Sequence, residues 1–272
     1  MAIRRYILIL FSLLCFMVSP INAFCRYDSL VNQAELRIVD SNYQKALELY
    51  MLAFREHQFH FSHDLYNASV CAIETGKTKV AMRLCMELGE KGVGANFFLK
   101  KSVYQSLKGN KNWTKLLSKA AQVKNDQAIK YGAIRRLLDS LVEKDQHVNH
   151  EWRNSGMDKQ KRLIMDLTYD TISRHLSKLF DTYGFLSEDK IGAYVEDDTV
   201  LRIGLPFDVI IIHNYEARMV GDTLFNPVLR MALRNKIIKP DYYARMHDFV
   251  GADSTNFLVP LIYISIQVYT LP

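Results

Sequence analysis

Apolar residues recur at three- and four-residue steps along most of this chain, the spacing that gathers them on one face of an α-helix. The segment from Asn42 to Ala53 reads this way through Ala46, Leu47, Leu49 and Tyr50. A second run places Ile134, Leu137, Leu138, Leu141 and Val142 on one face. A long amphipathic helix follows, with the face Ile164, Leu167, Ile172, Leu176, Leu179 and Tyr183, and Gly184 stops it. Pro206 suits the first turn of the next helix, which carries Val209, Ile210, Ile211 and Ile212. Four successive β-branched residues also fit a buried strand, but Tyr215 and Met219 continue the helical spacing. Leu224, Val228, Leu229, Ala232 and Leu233 mark a further helix, and Pro240 opens a short one containing Tyr243, Met246 and Phe249. The pattern predicts an all-α fold. Only the last stretch, Phe257 to Pro272, resists it: nearly uncharged, interrupted by Pro260 and too short to span a membrane, it reads as an extended, buried tail.

The first half also repeats. Turn positions Ser41, Gly76 and Gly109 are 35 and 33 residues apart. Each is followed by a helix with a small or aromatic residue where helices cross: Ala46, Tyr50 and Ala53, then Ala81, then Trp113 with Leu116 and Leu117. Helices pack closely only where a small side chain lies at the crossing. Over roughly residues 28 to 122 the chain resembles tetratricopeptide repeats, although Ser69 stands where the second unit's first helix would carry Gly, and the closing proline is absent. The resemblance implies a hairpin stack over 24–125, packed against a second helical domain over 126–256, with the apolar tail 257–272 after it. A stack of this kind offers a groove to a protein or peptide partner. Asn67-Ala68-Ser69 and Asn112-Trp113-Thr114 fit the glycosylation sequon, but they fall where a turn or helix is expected and are read as accidental.

The N-terminus changes where such a partner is sought. Arg4 and Arg5, the apolar run from Tyr6 to Val18, the helix breaker Pro20 and the small residue Ala23 make up a secretory signal peptide cut before Phe24. The expected protein is exported, periplasmic or secreted. Lipid anchoring through Cys25 is the alternative, disfavoured by the bulky Phe24 before it. The formal net charge of +6 is too small to argue for nucleic acid. Its distribution is uneven: between Lys100 and Arg136 there are ten basic residues and a single acid, Asp126. Such a stretch reads as a solvated helical face, or as a contact for an acidic envelope surface. The mature chain would keep Cys25, Cys71 and Cys85, an odd number that makes no disulfide framework, and Cys71 and Cys85 are expected as buried free thiols.

Candidate chemistry lies in the second half. Asp145-Gln146 ends a Leu-rich helix, Asp170-Thr171 precedes the turn Tyr183-Gly184-Phe185, His213 ends an apolar helix, and Tyr243-Ala244 leads to Asp248. Over about residues 130 to 250 this pattern resembles a helical domain of unknown function that follows tetratricopeptide-like repeats in secreted proteins of Bacteroidota. Two departures stand out: Phe249 replaces an Arg after the last Asp, and the C-terminus is apolar. The resemblance implies a candidate ligand set of Asp145, Gln146, Asp170, His213 and Asp248. A His that titrates near neutrality beside a carboxylate can do acid–base work or hold a metal, whereas the same residues at helix ends can simply cap them. His57, His60 and His63, with Asp64 beside the last, have a metal-like spacing but fall in an inter-repeat connection and lack the HExxH arrangement, so a solvated polar turn is expected. His147, His150 and Glu151 read as a polar helix face. No phosphate loop, nucleophile elbow or CxxC pair occurs, and no cofactor or metal is expected. The sequence thus points to an exported interaction or scaffold protein, with a small-ligand binder or enzyme using the Asp/His set as the rival.

Overall fold

A computed structural model describes residues 19–217 and 224–248. Among the described residues the fold is all-α apart from one short β-hairpin. Helices α1 (Ser19–Val39), α2 (Tyr43–Glu56), α3 (Ser62–Glu74) and α4 (Thr78–Glu90) are followed by α5 (Ala95–Lys100) and a 3₁₀ turn over Ser102–Leu107. Then come α6 (Trp113–Asn154), α7 (Lys159–Tyr183), α8 (Glu188–Ile191), strands β1 (Val195–Glu196) and β2 (Val200–Leu201), and helices α9 (Asp208–Ala217), α10 (Asn226–Arg234) and α11 (Pro240–Asp248). Among the described residues no helix is long and apolar enough to cross a membrane. The expected signal segment Tyr6–Val18 and the tail 257–272 lie outside the described residues.

The chain divides into two compact units, with the division inside α4 after Leu84. In the first, α1 packs on α2 and α2 on α3, an arrangement compatible with a hairpin stack. Its two inter-helix turns are built alike. The amide of Asn42 bonds the Arg37 carbonyl at 2.8 Å, and that of Lys77 bonds Ala72 at 2.8 Å. Ser41 (φ 55°) and Gly76 (φ 67°) hold the left-handed residue of this closure. Buried positions recur with the same 35-residue offset: Ala46 and Ala81 are fully buried, and Leu49 and Leu84 nearly so. Asn42 also caps α2, its side chain accepting from the Lys45 amide at 3.2 Å. The third expected turn, at Gly109, has no left-handed residue.

The connection between α2 and α3 is not the solvated turn expected for it. His57 is buried, with its ring 5.7 Å from that of Tyr27, while Phe59 and Phe61 meet edge to face at 4.9 Å. The rings of Tyr27 and Phe59 pack against His57 and bury it. The sequon residue Asn67 lies inside α3, 4 % exposed.

In the second unit α6 runs for 42 residues, so the domain boundary expected at 125/126 falls inside one continuous helix. A tight turn through Gly156 and Met157, both left-handed, returns the chain into α7, whose N-terminus is capped by the Asp158 side chain on the Lys161 amide at 2.9 Å. Gly184, also left-handed, ends α7 as expected. Helix α7 packs on α6 and α9 through Ile172, Leu176 and Phe180, which join Leu138, Phe207, Ile210, Ile211 and Phe225 in one core. Two expected core faces need correction. Ile164, Leu167 and Tyr183 are exposed, as is Leu137. Ile172 and Leu176 of the expected face are buried, but with Met165, Tyr169 and Phe180 in place of Ile164, Leu167 and Tyr183, so the stripe of α7 is rotated by about one residue. The Val209–Ile212 block is helical, as its flanking spacing predicts.

The β-hairpin had no counterpart in the sequence reading. Asp197 and Asp198, both with positive φ, form its turn. The Asp198 carboxylate lies 3.3 Å from Lys100 Nζ and 3.5 Å from Lys124 Nζ, and its pKa is lowered chiefly by the Asn96 amide that bonds it and then by Lys100. Lys119 pairs with Glu90 and Arg135 with Asp139. Four of the ten cations in the basic stretch therefore answer acids of the same unit.

Candidate functional site

The most developed polar centre lies in the second unit, between α6, α7 and α9. Asp145 sits on the face of α6 that carries Leu138 and Leu141, and that phase buries it to 1 % exposure. His213 reaches it from α9: its Nδ1 is 2.7 Å from Asp145 Oδ2. The same oxygen accepts from Gln146 Nε2 at 2.9 Å. One turn along α6, Asn149 directs its side-chain amide to His213 Nε2 at 3.2 Å and to Tyr169 Oη at 2.9 Å. The Tyr169 ring stacks on the imidazole, with centroids 4.7 Å apart and planes inclined by 20°.

The bonding fixes how the imidazole is used. With a carboxylate at Nδ1 that nitrogen donates, and Nε2 becomes the acceptor facing the Asn149 amide. The stacked phenol holds the plane. Only 11 % of the His213 side chain is exposed, so any approach is to the ring edge. Asp145 Oδ1 is buried and has no donor among the described residues, and neither polar atom of the buried Asn214 side chain has a partner among them. Leaving a buried acceptor unmet costs about 1–3 kcal/mol, and more for a charged group.

Three of the five sequence-predicted residues, Asp145, Gln146 and His213, thus meet. Asp170 does not join them. It points away from the buried stripe of α7 and pairs with Arg174 at 2.8 Å, one turn on along the exposed face. Asp248 ends α11, but its side chain lies outside the described residues. Asn149 and Tyr169 were missed. Their signal was present: Leu138, Leu141, Asp145, Asn149 and Trp152 follow one helical stripe, so Asn149 is a polar residue at a core position.

A second carboxylate, Asp208, with 15 % of its side chain exposed, also escaped the sequence reading. At the start of α9 it accepts from the Leu205 amide at 3.1 Å and from the Tyr242 phenol, with Arg245 3.4 Å away. Burial pushes its pKa up to about 6 against these partners. Gly204, with φ +102°, makes room, since a Cβ there would come within 2.3 Å of Asp208 Oδ2. This cluster ties α9 to α11. Elsewhere in the unit, Lys91 pairs with Asp189 at 2.8 Å. His150 bonds Asn154 and Glu151 pairs with Lys161, the polar helix face expected there.

Among the histidines of the first unit, His57 and His60 place a ring nitrogen on the carbonyls of Phe59 (2.7 Å) and Phe54 (3.0 Å). His63 instead gathers with Glu35 and the fully buried Asp64. Cys71 and Cys85 are both buried thiols and are not bridged to each other, as expected.

Compared with protein-family models, curated proteins and solved structures, the chain matches none of them.

Proposed function

We propose that this chain is an exported protein whose second unit recognises a small polar ligand at the Asp145–His213 centre, with His213 Nε2 as the proton-accepting atom. One observation carries the reading: Asp145 gives one oxygen to His213 and Gln146 and holds the other buried with no donor among the described residues. A helix cap or structural bridge needs no such arrangement, because a partner for both oxygens, or an apolar pair, would be more stable. A ligand hydroxyl or amide donating to Oδ1 would complete the set, and a proton taken at Nε2 would be stabilised as an imidazolium against the same carboxylate. Export is supported by Arg4, Arg5, the apolar run Tyr6–Val18 and Ala23.

A thermal-shift screen of polar metabolites against the mature chain, run in parallel on Asp145→Asn, tests this. The reading expects hits that stabilise the parent and not the variant. Equal stabilisation of both, or no hit in a broad library, would count against it.

A second reading, an interaction scaffold with a protein or peptide partner, is favoured by the matched left-handed turns at Ser41 and Gly76. It draws on the tetratricopeptide resemblance and on the exposed Leu36, Val39 and Leu52 of the first unit. Pull-down from the envelope fraction with Leu36→Glu as the comparison separates it from the ligand reading, since that change leaves Asp145 untouched.

A further inference from the structure

In the first unit, Glu35 of α1 and His63 and Asp64 of the first turn of α3 each bring one ligand-type atom to a common place, all within 4.8 Å of one another. Three points so spaced share a centre no more than about 2.8 Å from each, close to the roughly 2.0–2.2 Å bonds that zinc makes to nitrogen and carboxylate oxygen. Side-chain rotation of well under an ångström per ligand closes the difference. We propose that Glu35, His63 and Asp64 form a binding site for a divalent transition-metal ion of the zinc class.

The donor chemistry fits that class. Two carboxylates neutralise a dication, and one imidazole with no thiolate selects for borderline ions such as Zn²⁺ or Co²⁺ over soft ones. The rigidity also fits. Asp64 is fully buried, and its Oδ2 accepts the Tyr27 phenol at 2.7 Å, the kind of outer hydrogen bond that orients a ligating carboxylate. Tyr27 in turn lies two turns before Glu35 on α1 and is itself fully buried. Glu35 and His63 are half-buried, so the site opens to solvent on one side. Three protein ligands and an open side leave room for water or an exchangeable anionic group in the fourth position. The ion would link α1 to α3 across 28 residues of sequence, and its binding would therefore stabilise the fold. His57 and His60 place a ring nitrogen on backbone carbonyls, whereas His63 lies beside the two carboxylates, so the spacing of the three histidines is not what builds the site.

The test uses the full mature chain, stripped with a chelator and titrated with Zn²⁺ by calorimetry and with Co²⁺ by visible absorption. The expected result is one equivalent bound, a Co²⁺ spectrum of a four- or five-coordinate nitrogen/oxygen site, and a higher thermal midpoint. His63→Ala and Glu35→Gln, both at half-buried positions, are expected to lose at least tenfold in affinity, while the exposed His175→Ala retains it. The absence of stoichiometric binding to the parent would overturn the proposal, as would unchanged affinity in both His63→Ala and Glu35→Gln when circular dichroism shows them folded.

Discussion

His213 Nδ1 lies 2.7 Å from Asp145 Oδ2, a contact between residues 68 positions apart that joins α9 to α6 inside the second unit. It is the contact around which Gln146, Asn149 and Tyr169 are arranged, and it sets the imidazole's donor and acceptor ends. Its removal has a defined cost. Asp145→Ala leaves the His213 N–H and the Gln146 amide without their acceptor, and the expected loss is about 1–3 kcal/mol in urea unfolding. Asp145→Asn keeps an acceptor oxygen and is expected to lose less. Equal losses in the two variants would mean that packing, not the hydrogen bonds, is at stake.

Asp208 makes stability depend on pH in a direction opposite to that of a salt-bridged carboxylate. Its carboxyl is raised from 3.8 to about 6 by burial, so between those values the folded protein holds a proton that the unfolded chain has released. Stability from this group is therefore greatest below pH ~4 and falls as pH rises through ~6. Asp208→Asn removes that dependence and is expected to gain on the parent by up to roughly 3 kcal/mol between pH 4 and pH 7. Urea midpoints of the two proteins at both pH values give the answer, and a constant difference between them would contradict it.

The helices and the first two inter-helix turns were legible because their signals are local: three- and four-residue apolar spacing, Ser41, Gly76 and Gly184 at turns and helix ends, Pro240 at a helix start. The site was only half legible. Asp145, Gln146 and His213 could be named, but whether they meet depends on how α9 lies against α6 and α7, a long-range matter that periodicity does not encode. Asp170 misled for the same reason. It follows the buried Tyr169 by one residue, and 100° of helix turn sends it to the surface. The exposure of Ile164 and Leu167 has a related cause, since a helix with apolar residues on more than one face can seat any of them and tertiary packing chose the aromatic stripe. Asp208 was hidden because its partners Leu205, Tyr242 and Arg245 come from both sides of a segment of more than thirty residues.

Cys71 is expected to be inert in the native state. Burial pushes its thiol up to about 12, which leaves on the order of one thiolate in ten thousand at pH 8 and slows alkylation by about a thousandfold relative to a free thiol. Peptide mapping after iodoacetamide treatment, with and without denaturant, measures this. Rapid native labelling of Cys71 would show that α3 opens readily.

The phenol of Tyr27 is raised well above its ordinary value by burial and then by the Asp64 carboxylate beside it, so it stays a hydrogen-bond donor at every pH at which the protein is handled. Tyr27→Phe deletes the donor and keeps the ring. The expected cost in metal-free protein is about 1–3 kcal/mol by urea unfolding, and a neutral result would show that Asp64's other contacts hold it.

The claim that matters most is that Asp145 and His213 form a recognition site, and His213 can report on it directly. Ring-¹⁵N-labelled mature protein, titrated with the hits from the thermal-shift screen, is predicted to show Nδ1 protonated in the free state and Nε2 shifting on binding, with both features lost in Asp145→Asn. Hits that bind while both His213 nitrogens stay unmoved, or a free state with the proton on Nε2, would contradict the account.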